Sequence, residues 1–344
     1  MKKTTLFLAA AISAFGVFAQ SDKLPGNLVI EGIPEIPAQL KERMNQYQNT
    51  RSSSLSSFNP GNSSMMISTR FGETSQLHLV DHPGGARKQI TFFKEPISGG
   101  SFCPLPERNG FIFSRDQGGN EFAQLYWFDL KSGSQELISD GGRTQNRLAA
   151  WSEKGDQFIT ISTRRTGKDY DLYLSHVDNP KEAKLILQEG GSWSVLDWSP
   201  DAKQLLVINR ISANKSFIHI LDIASGKLTQ INPSKEDIAY SNGTWTADGK
   251  GIFIVNDEKT EFQTLKYYDI ANKKFTSITA SIPWDVSGVA NNKDRSKFIL
   301  NVNENGYSKL YDFNPINNII TPLEGLPIGI ISGVRFNQQT GDLG

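Results

Sequence analysis

The chain has 344 residues, and its 36 basic and 36 acidic side chains leave no net charge at neutral pH. This balance argues against a broad nucleic-acid surface, which requires an excess of basic residues on one face. The length allows one large repeat domain or two ordinary domains, so it does not decide the organisation alone.

Residues 1–19 have the pattern of a secretory signal peptide. Lys2 and Lys3 precede a short apolar core from Leu6 to Phe18, and the small residues Val17 and Ala19 stand at the cleavage offsets. No stretch of the chain reaches the ~20 apolar residues that a transmembrane helix needs. We therefore expect a periplasmic or secreted protein without a transmembrane segment after cleavage; the alternative is a buried N-terminal helix.

Residues 20–50 are predicted to form an extension that contains a short helix. In the stretch "PEIPAQLKERMNQYQNTR", the apolar residues Leu40, Met44 and Tyr47 recur at helical spacing among charged residues. One face of this helix is therefore apolar. We expect that face to dock on the rest of the chain or on a partner domain.

Residues 51–344 contain a repeat that is marked by an aromatic residue, a polar turn and an apolar run. The phrase "WSEKGDQFITIST" at Trp151 returns as "WSPDAKQLLVINR" at Trp198 and "WTADGKGIFIVND" at Trp245. Spacings of 46, 47, 47, 47, 46 and 45 residues separate the seven slots, in two of which the aromatic is lost. The slots are Phe58, Pro104, Trp151, Trp198, Trp245, Asn291 and Phe336.

A second repeat follows the same period. An apolar residue and an aspartate recur 21 to 27 residues after each aromatic slot, before another turn and a short strand. The aspartates are Asp81, Asp129, Asp178, Asp222, Asp269 and Asp312. Each unit is therefore predicted to form four short antiparallel strands, which we call A to D, joined by hairpins.

A period of 40 to 50 residues with four strands per unit is typical of a β-propeller. Blades packed face to face around an axis bury both faces of each sheet, so we expect the aromatic residues to wedge between blades. Phe336 lies in "ISGVRFNQQTGDLG", at strand A and the first turn of a seventh unit. The prediction is an all-β propeller of six complete blades plus the start of a seventh, incomplete at the C-terminus and part of a longer protein. Alternatively, the N-terminal "NLVIEGI" supplies a strand that completes the ring.

The chain offers no recognisable catalytic machinery. A serine hydrolase of the α/β type needs its nucleophile in a G-x-S-x-G turn, and "GGSWS" and "GGSFC" lack the second glycine. The four histidines do not have the spacing of metal ligands on a helix, and Cys103, the only cysteine, is expected to be a small buried group. We therefore predict no catalytic residue, no metal site and no cofactor in this chain.

The stretch "STRFGETSQLHLVDHPGGARKQITFF" (Ser68–Phe93) resembles the first propeller blade of secreted bacterial peptidases of the prolyl oligopeptidase family. "RMNQYQNTRS" and "SRDQGGNEFAQLYWFDLKSG" are similar to neighbouring segments of that family. The resemblance implies a propeller that caps an α/β-hydrolase domain of the same chain, admits peptides and excludes folded proteins. The hydrolase domain and its Ser, Asp and His are missing here, so the resemblance implies a gating domain that is inactive alone.

The loops between strands B and C are expected to cluster near the axis on one face. Arg70, Arg115, Arg164 and Arg210 occupy similar places in successive loops, and a ring of guanidinium groups there is predicted to hold peptide carboxyl or carbonyl groups. Glu121 is predicted to hold a free amino terminus. The alternative is that these side chains are solvated hairpin tips that pair with local acids.

Two other functions compete with the gating domain of an exported serine peptidase. One is a stand-alone periplasmic binding or scaffold propeller of the Tol-Pal type. The other is a carbohydrate-active propeller, which is disfavoured because no pair of carboxylates stands out.

Overall fold

A computed structural model of the protein describes residue 29 and residues 31–344. The predicted signal peptide lies outside these described residues. The chain divides into two compact units, the first ending at Thr50 and the second running from Arg51 to Gly344. In the first unit, an α-helix (α1) spans Ala38–Gln48, as predicted. Leu40, Met44 and Tyr47 on this helix are all exposed, and the docking of its apolar face stays a prediction.

The second unit consists of six four-stranded antiparallel blades, and each blade has the strand order A-B-C-D. The strands of blades one to three are β1 Ser54–Phe58, β2 Met65–Thr69, β3 Gln76–Val80, β4 Lys88–Gln89, β5 Gly100–Phe102, β6 Gly110–Arg115, β7 Gln124–Asp129, β8 Gln135–Leu137, β9 Asn146–Trp151, β10 Gln157–Ser162, β11 Asp171–His176 and β12 Asn179–Leu187. A short 3-10 helix, Pro106–Arg108, enlarges the first turn of blade two.

Blades four to six repeat the pattern, and the strands A of neighbouring blades lie against one another around the axis. Their strands are β13 Trp193–Trp198, β14 Gln204–Ser212, β15 Lys215–Asp222, β16 Leu228–Gln230, β17 Tyr240–Trp245, β18 Gly251–Asn256, β19 Thr264–Asp269, β20 Lys274–Ser277, β21 Asp285–Asn291, β22 Phe298–Glu304, β23 Tyr307–Asn314 and β24 Ile319–Pro322. The predicted all-β propeller is confirmed.

The B strands are apolar on both faces because each lies between strands A and C and is covered by the neighbouring blades. All six residues of β18 are buried, as are the last five of β10. A strand that is buried on both faces requires a continuous apolar run rather than alternation. This explains the phrases "FITIS" and "IFIVN" in the repeat.

The aromatic slots pack between blades, as predicted. Trp245 belongs to a cluster that joins Leu206 and Ile208 of blade four to Ile252 and Ile254 of blade five. Trp198 likewise joins residues of blades three and four in a second cluster. These contacts carry the burial that holds the ring together, since a fully buried large apolar side chain contributes about 1.5–3 kcal/mol.

The segment after blade six has the first turn of a seventh unit. In five of the other six units the backbone N–H of the residue just after the slot donates to a carbonyl at or just before the start of strand B, as from Ser199 to Gln204 at 2.9 Å; in blade two the donor is Cys103, just before the slot. Asn337 makes the same bond to Asp342 at 2.7 Å. An antiparallel bridge joins Phe336 to Leu343, and no regular strand forms here within residues 31–344.

This last segment fills the position between blade six and blade one. The Asn301 amide of blade six donates to the carbonyl of Ile331 at 2.7 Å, and the Arg335 guanidinium donates to the carbonyl of Ser56 in blade one. Phe336 is buried against Ile299 and Leu310 of blade six. The start of a seventh unit therefore connects the two ends of the six-blade series.

Candidate functional site

A cavity of about 1080 Å³ opens at the end of the ring where the A–B turns lie. We call it the axial cavity. Its wall is formed by the ends of strands A and the turns of five blades, together with the segment after blade six. Residues that line it include Phe58, Phe102, Trp151, Glu153, Lys154, Asp197, Asp201, Lys293, Arg295 and Arg335.

The sequence repeat determines which residues form the wall of the axial cavity. Six of the seven slots line the axial cavity, the exception being Trp245. In blades one, three, four and six the slot is the last residue of strand A, and Pro104 follows β5 by two residues. In blades three to five, the hydroxyl of the next residue fixes the turn. Ser152, Ser199 and Thr246 each accept a hydrogen bond from the backbone N–H that begins strand B, at 2.9–3.1 Å. The "WS" phrases therefore specify fixed turns at the rim of the cavity, and the "WT" phrase specifies the same turn in blade five, which does not line it.

Glycine residues in strands A allow the backbone to pack closely against strand B of the preceding blade. A Cβ atom on Gly243 would lie 2.7 Å from Leu206 Cδ2 in the preceding blade, and a Cβ on Gly100 would lie 2.9 Å from Met66 Sδ. Only glycine allows the backbone to come so near to a neighbouring side chain. In blade four, a bulge between Val195 and Asp197 interrupts the pairing with β14 just before the cavity wall.

A buried ion pair at the wall links three blades. Asp197 of blade four receives both Nη atoms of Arg295 of blade six, at 2.5 and 3.2 Å. The same carboxylate accepts bonds from the Thr244 hydroxyl at 2.8 Å and the Trp245 backbone N–H at 2.9 Å, both in blade five. Because Arg295 lies over this part of blade five, it covers Thr244 and Trp245 at the wall. Additional hydrogen bonds are what a buried ion pair needs to be tolerated, and among the described residues only the Arg295 Nε–H of this pair is buried without a partner.

Arg335 is the second guanidinium at the wall, and it has a different environment. Its Nε–H donates to the carbonyl of Gly333 at 3.3 Å, and Nη1 donates to the carbonyl of Ser56. Among residues 31–344 no carboxylate lies within the 4.0 Å of an ion pair with it. Burial lowers the pKa of Arg335 below its usual value.

The predicted arginines lie at the opposite end of the ring, and three of them have local contacts. Arg70 and Arg164 lie in B–C loops, whereas Arg115 is the last residue of β6 and Arg210 lies within β14. The Arg115 guanidinium packs on Phe93, 4.5 Å from its ring centre, and lies 3.4 Å from Glu95. Arg164 packs on Tyr173 at 4.3 Å. Arg70 donates to the carbonyl of Glu73 at 3.4 Å.

The other two predicted binding residues, Arg210 and Glu121, are exposed to solvent. Glu121 has a φ of 63° and its backbone N–H donates to the Asp116 carboxylate at 3.0 Å, so the loop conformation is fixed there. None of these observations tests whether the five residues bind substrate, and that role stays a prediction.

The cysteine and one of the four histidines, His78, are buried, whereas His219 is partly buried and His82 and His176 are exposed. Cys103 is buried, as predicted, and burial raises the pKa of its thiol to about 11. Burial also lowers the pKa of His78 and His219 below the usual range. Among residue 29 and residues 31–344 there is no group of three His, Cys, Asp or Glu side chains placed to hold a metal ion.

Asp197, Arg295 and Arg335 were missed by the sequence analysis. Asp197 precedes an aromatic slot in "LDWSP", which marks its position but gives no reason to single it out. Arg295 lies in "NNKDRS" with a φ of 58°, in a turn of a unit that has lost its aromatic. Asp197 pairs with a residue 98 positions away because the ring brings blades four and six together. No local sequence pattern predicts such a contact.

Comparison with solved structures gives the fold. The structure of a prolyl endopeptidase matches with a TM-score of 0.68 and 14% identity, over 86% of this chain and 46% of that one. An oligogalacturonate lyase in complex with manganese matches with a TM-score of 0.61 and 14% identity, over 77% and 75% of the two chains. This is the propeller fold of both. The resemblance predicted from the sequence is confirmed at the level of the propeller.

A third match is the structure of a putative TolB from Agrobacterium tumefaciens, with a TM-score of 0.51 and 14% identity, over 75% of this chain and 91% of that one. The present chain therefore spans about half of the prolyl endopeptidase but most of the TolB chain. No protein-family model and no curated protein matches. Within the described residues, no helix has the length and apolarity needed to cross a bilayer.

Proposed function

We propose that this chain is the propeller region of an exported serine peptidase of the prolyl oligopeptidase family, and that it admits peptides and holds back folded proteins. The axial cavity is the observation that supports this proposal. Its volume, about 1080 Å³, is at the upper end of the range for small-ligand sites. An extended peptide fits such a cavity, whereas a folded domain of 100 residues has a radius of gyration of about 13 Å.

The rim of the axial cavity suits a filter because it is rigid. In blades three and four, the turns that form it are fixed by side-chain hydrogen bonds to the start of strand B. Asp197 and Arg295 tie three blades together. Passage through such an opening depends on the width of the substrate. In this proposal, the B–C loops with Arg70, Arg115, Glu121, Arg164 and Arg210 form the other end of the path and contact the peptide there.

The first experiment reads the coding sequence beyond codon 344 and assays its product. Under this proposal an α/β-hydrolase region with a G-x-S-x-G turn follows, and the product cleaves peptides but not folded proteins. A stop codon at that place contradicts the proposal. Hydrolysis of a peptide by the purified 344-residue chain contradicts the prediction that it contains no catalytic residue.

The second experiment narrows the opening. Lys154 is exposed and lines the axial cavity, so Lys154→Trp reduces the space in the full-length enzyme. We expect kcat/KM to fall several-fold for long peptides and to stay within two-fold for dipeptide-sized substrates, because only the longer substrate needs the full width. Lys227→Trp, on an exposed turn outside the cavity, is the matched control. Equal effects on long and short substrates would contradict peptide entry at this end.

A stand-alone periplasmic scaffold of the Tol-Pal type is the second candidate. The match over 91% of the putative TolB chain favours it, since a much larger share of that protein is covered than of the prolyl endopeptidase. It predicts a protein partner and no peptide hydrolysis by the complete gene product. The same reading of the coding sequence separates the two candidates.

A further inference from the structure

Arg335 is a partly buried cation whose contacts leave most of its hydrogen-bonding capacity unused. A guanidinium has five N–H donors in a planar fork. Among the described residues, Arg335 donates through Nε to Gly333 and through Nη1 to Ser56, and both partners are neutral backbone carbonyls. The Nη2 group, which faces no partner in this set, remains able to donate.

Arg295 provides the internal comparison. It lies at the same wall, but both of its Nη atoms are bound by Asp197, so its charge is neutralised within the protein. Arg335 has no such carboxylate among the described residues. A buried charge without an opposite charge is costly, and the lowered pKa of Arg335 is the expected consequence of this desolvation.

The charges around Arg335 leave the axial cavity with an excess of one cation. Lys154, Lys293, Arg295 and Arg335 line it against Glu153, Asp197 and Asp201. Of these acids, Asp197 is neutralised by Arg295, and Asp201 accepts bonds from Ser199 and from the Lys203 backbone N–H. Two of the three carboxylates at the wall are therefore already engaged.

Aromatic and aliphatic side chains complete the surroundings. Phe58, Phe102, Trp151 and Phe336 line the cavity with Arg335. Apolar surface with a few directed polar groups is the usual composition of a site that binds a small ligand. The side chains of a peptide would contact the rings, and its charged end requires a cation.

We propose that Arg335 binds a carboxylate of a peptide in the axial cavity. The spare N–H groups of its fork can hold both oxygens of a carboxylate, which is the geometry in which arginine is most selective. This inference rests on the proposed function, because it names the chemistry by which the same cavity recognises its substrate. Two sources present this group on a peptide, the C-terminal carboxylate and an acidic side chain.

The test measures binding of labelled peptides to the purified chain by fluorescence anisotropy. Three short alanine-rich peptides are compared: one with a free C-terminus, one amidated, and one amidated with a single glutamate. We expect the free peptide to bind about 10-fold more tightly than the amidated one, since a hydrogen-bonded charge pair contributes at this level. Recovery of affinity by the glutamate peptide identifies the side chain as a second source.

Variants assign the effect to Arg335. Arg335→Gln should remove the preference for the carboxylate, while Arg335→Lys keeps the charge and should keep part of it. Lys227→Gln, on an exposed turn outside the cavity, is the matched control for the loss of a positive charge and should leave the preference unchanged. Arg210→Gln, in β14 at the opposite end of the ring, tests the rival site. Thermal melts followed by circular dichroism identify any variant that fails to fold, and Arg335→Lys keeps the test open if Arg335→Gln does fail.

The outcomes separate this inference from the proposed function. Equal binding of free and amidated peptides, or a preference that survives Arg335→Gln, overturns the role of Arg335 and leaves peptide gating standing. Loss of the preference in Arg210→Gln alone transfers recognition to the B–C loops and also overturns the inference. If none of the peptides binds, both the inference and peptide gating by this cavity are overturned.

Discussion

Cys103 is a buried packing residue at the contact between blades two and three. It precedes the Pro104 slot, and its Sγ lies 3.8 Å from the carbonyl of Gly155 in the next blade. A Cβ on Gly155 would lie 2.7 Å from the Pro104 side chain, so blades two and three are in close contact here. The thiol therefore fills a space between blades, as expected from the sequence for a lone cysteine with no activating base nearby.

This burial has a measurable consequence. Because the pKa of the Cys103 thiol is raised to about 11, almost no thiolate is present at pH 8. We expect an aromatic disulfide reagent to modify the native protein at least 100-fold more slowly than the protein unfolded in urea. The reaction is followed by absorbance, and a free low-molecular-weight thiol in the same buffers corrects for the effect of urea. Rapid modification of the native protein would contradict the buried position.

At the scale of single elements, the hairpin turns explain why aspartate recurs in the sequence. Asp129 and Asp222 each accept bonds from the backbone N–H and hydroxyl of a serine three residues later, and Asp269 does the same with the backbone and amide of Asn272. These bonds stabilise the ionised carboxylates, so the pKa values of all three are lowered. In these three blades the recurring aspartate is thus a turn residue, whereas Asp312 lies within β23.

The lowered pKa values predict a loss of stability in acid. A carboxylate with a lower pKa in the folded state than in the unfolded state stabilises the fold above the unfolded pKa, which is about 3.9 for aspartate. That contribution disappears as the pH falls through the folded pKa. We expect the free energy of unfolding of the wild type to fall more between pH 5 and pH 3 than that of Asp222→Asn/Asp269→Asn, measured by urea titration.

The control for this experiment is Asp237→Asn, whose carboxylate pairs with Lys215 on the surface and is not a turn residue. Its pH dependence should follow the wild type more closely. An unchanged pH dependence in the double asparagine variant would show that these turns do not contribute. The asparagine side chain keeps an acceptor oxygen, so the turn itself should persist.

The strands and their turns could be predicted from the sequence because they repeat along it. The side-chain hydrogen bonds at the start of strand C, at the end of the blades opposite the A–B turns, could not. Gln76 in blade one and Gln124 in blade two occupy the same place at the start of strand C. The Gln76 amide donates to the carbonyls of Phe93 and Glu95 at 3.0 Å, and the Gln124 amide donates to those of Gly142 and Thr144 at 2.9 and 3.0 Å. In blades three and four the place is taken by Asp171 and Ser216, so the pattern is too irregular to detect by spacing.

At the scale of the whole molecule, the ion pair between Asp197 and Arg295 holds blades four to six in a fixed arrangement. The side chains of Asp197 and Arg295 are 19% and 8% exposed, and their hydrogen-bond partners among the described residues lie in three consecutive blades. Removing one member of a buried pair leaves an uncompensated charge. The pair also explains why the wall of the axial cavity could not be predicted, since Asp197 and Arg295 are far apart in the sequence.

Breaking this pair should destabilise the protein strongly. We expect Arg295→Met to lower the free energy of unfolding by about 3–5 kcal/mol, because the Asp197 carboxylate then remains buried without its cation. Urea titration at pH 7 measures the change. Asp197→Leu/Arg295→Met should recover much of the loss, since neither charge then remains.

Arg210→Met, at an exposed position of β14, serves as the control and should stay within about 0.5 kcal/mol of the wild type. A loss for Arg295→Met no larger than that of the control would show that the pair contributes nothing to the ring. A double variant as unstable as the single one would assign the loss to packing rather than to charge.

The axial cavity is built by repeats that are no longer equivalent. Blade five is covered at the wall by Arg295, and among the described residues it contributes no lining residue, whereas the segment after blade six presents Arg335. A rim with true rotational symmetry would accept an elongated guest in several equivalent rotations about the axis. Here Arg295 is paired with a carboxylate, whereas Arg335 has no carboxylate partner among the described residues. A peptide whose carboxylate is bound by Arg335 would therefore be held in a single rotation about the axis.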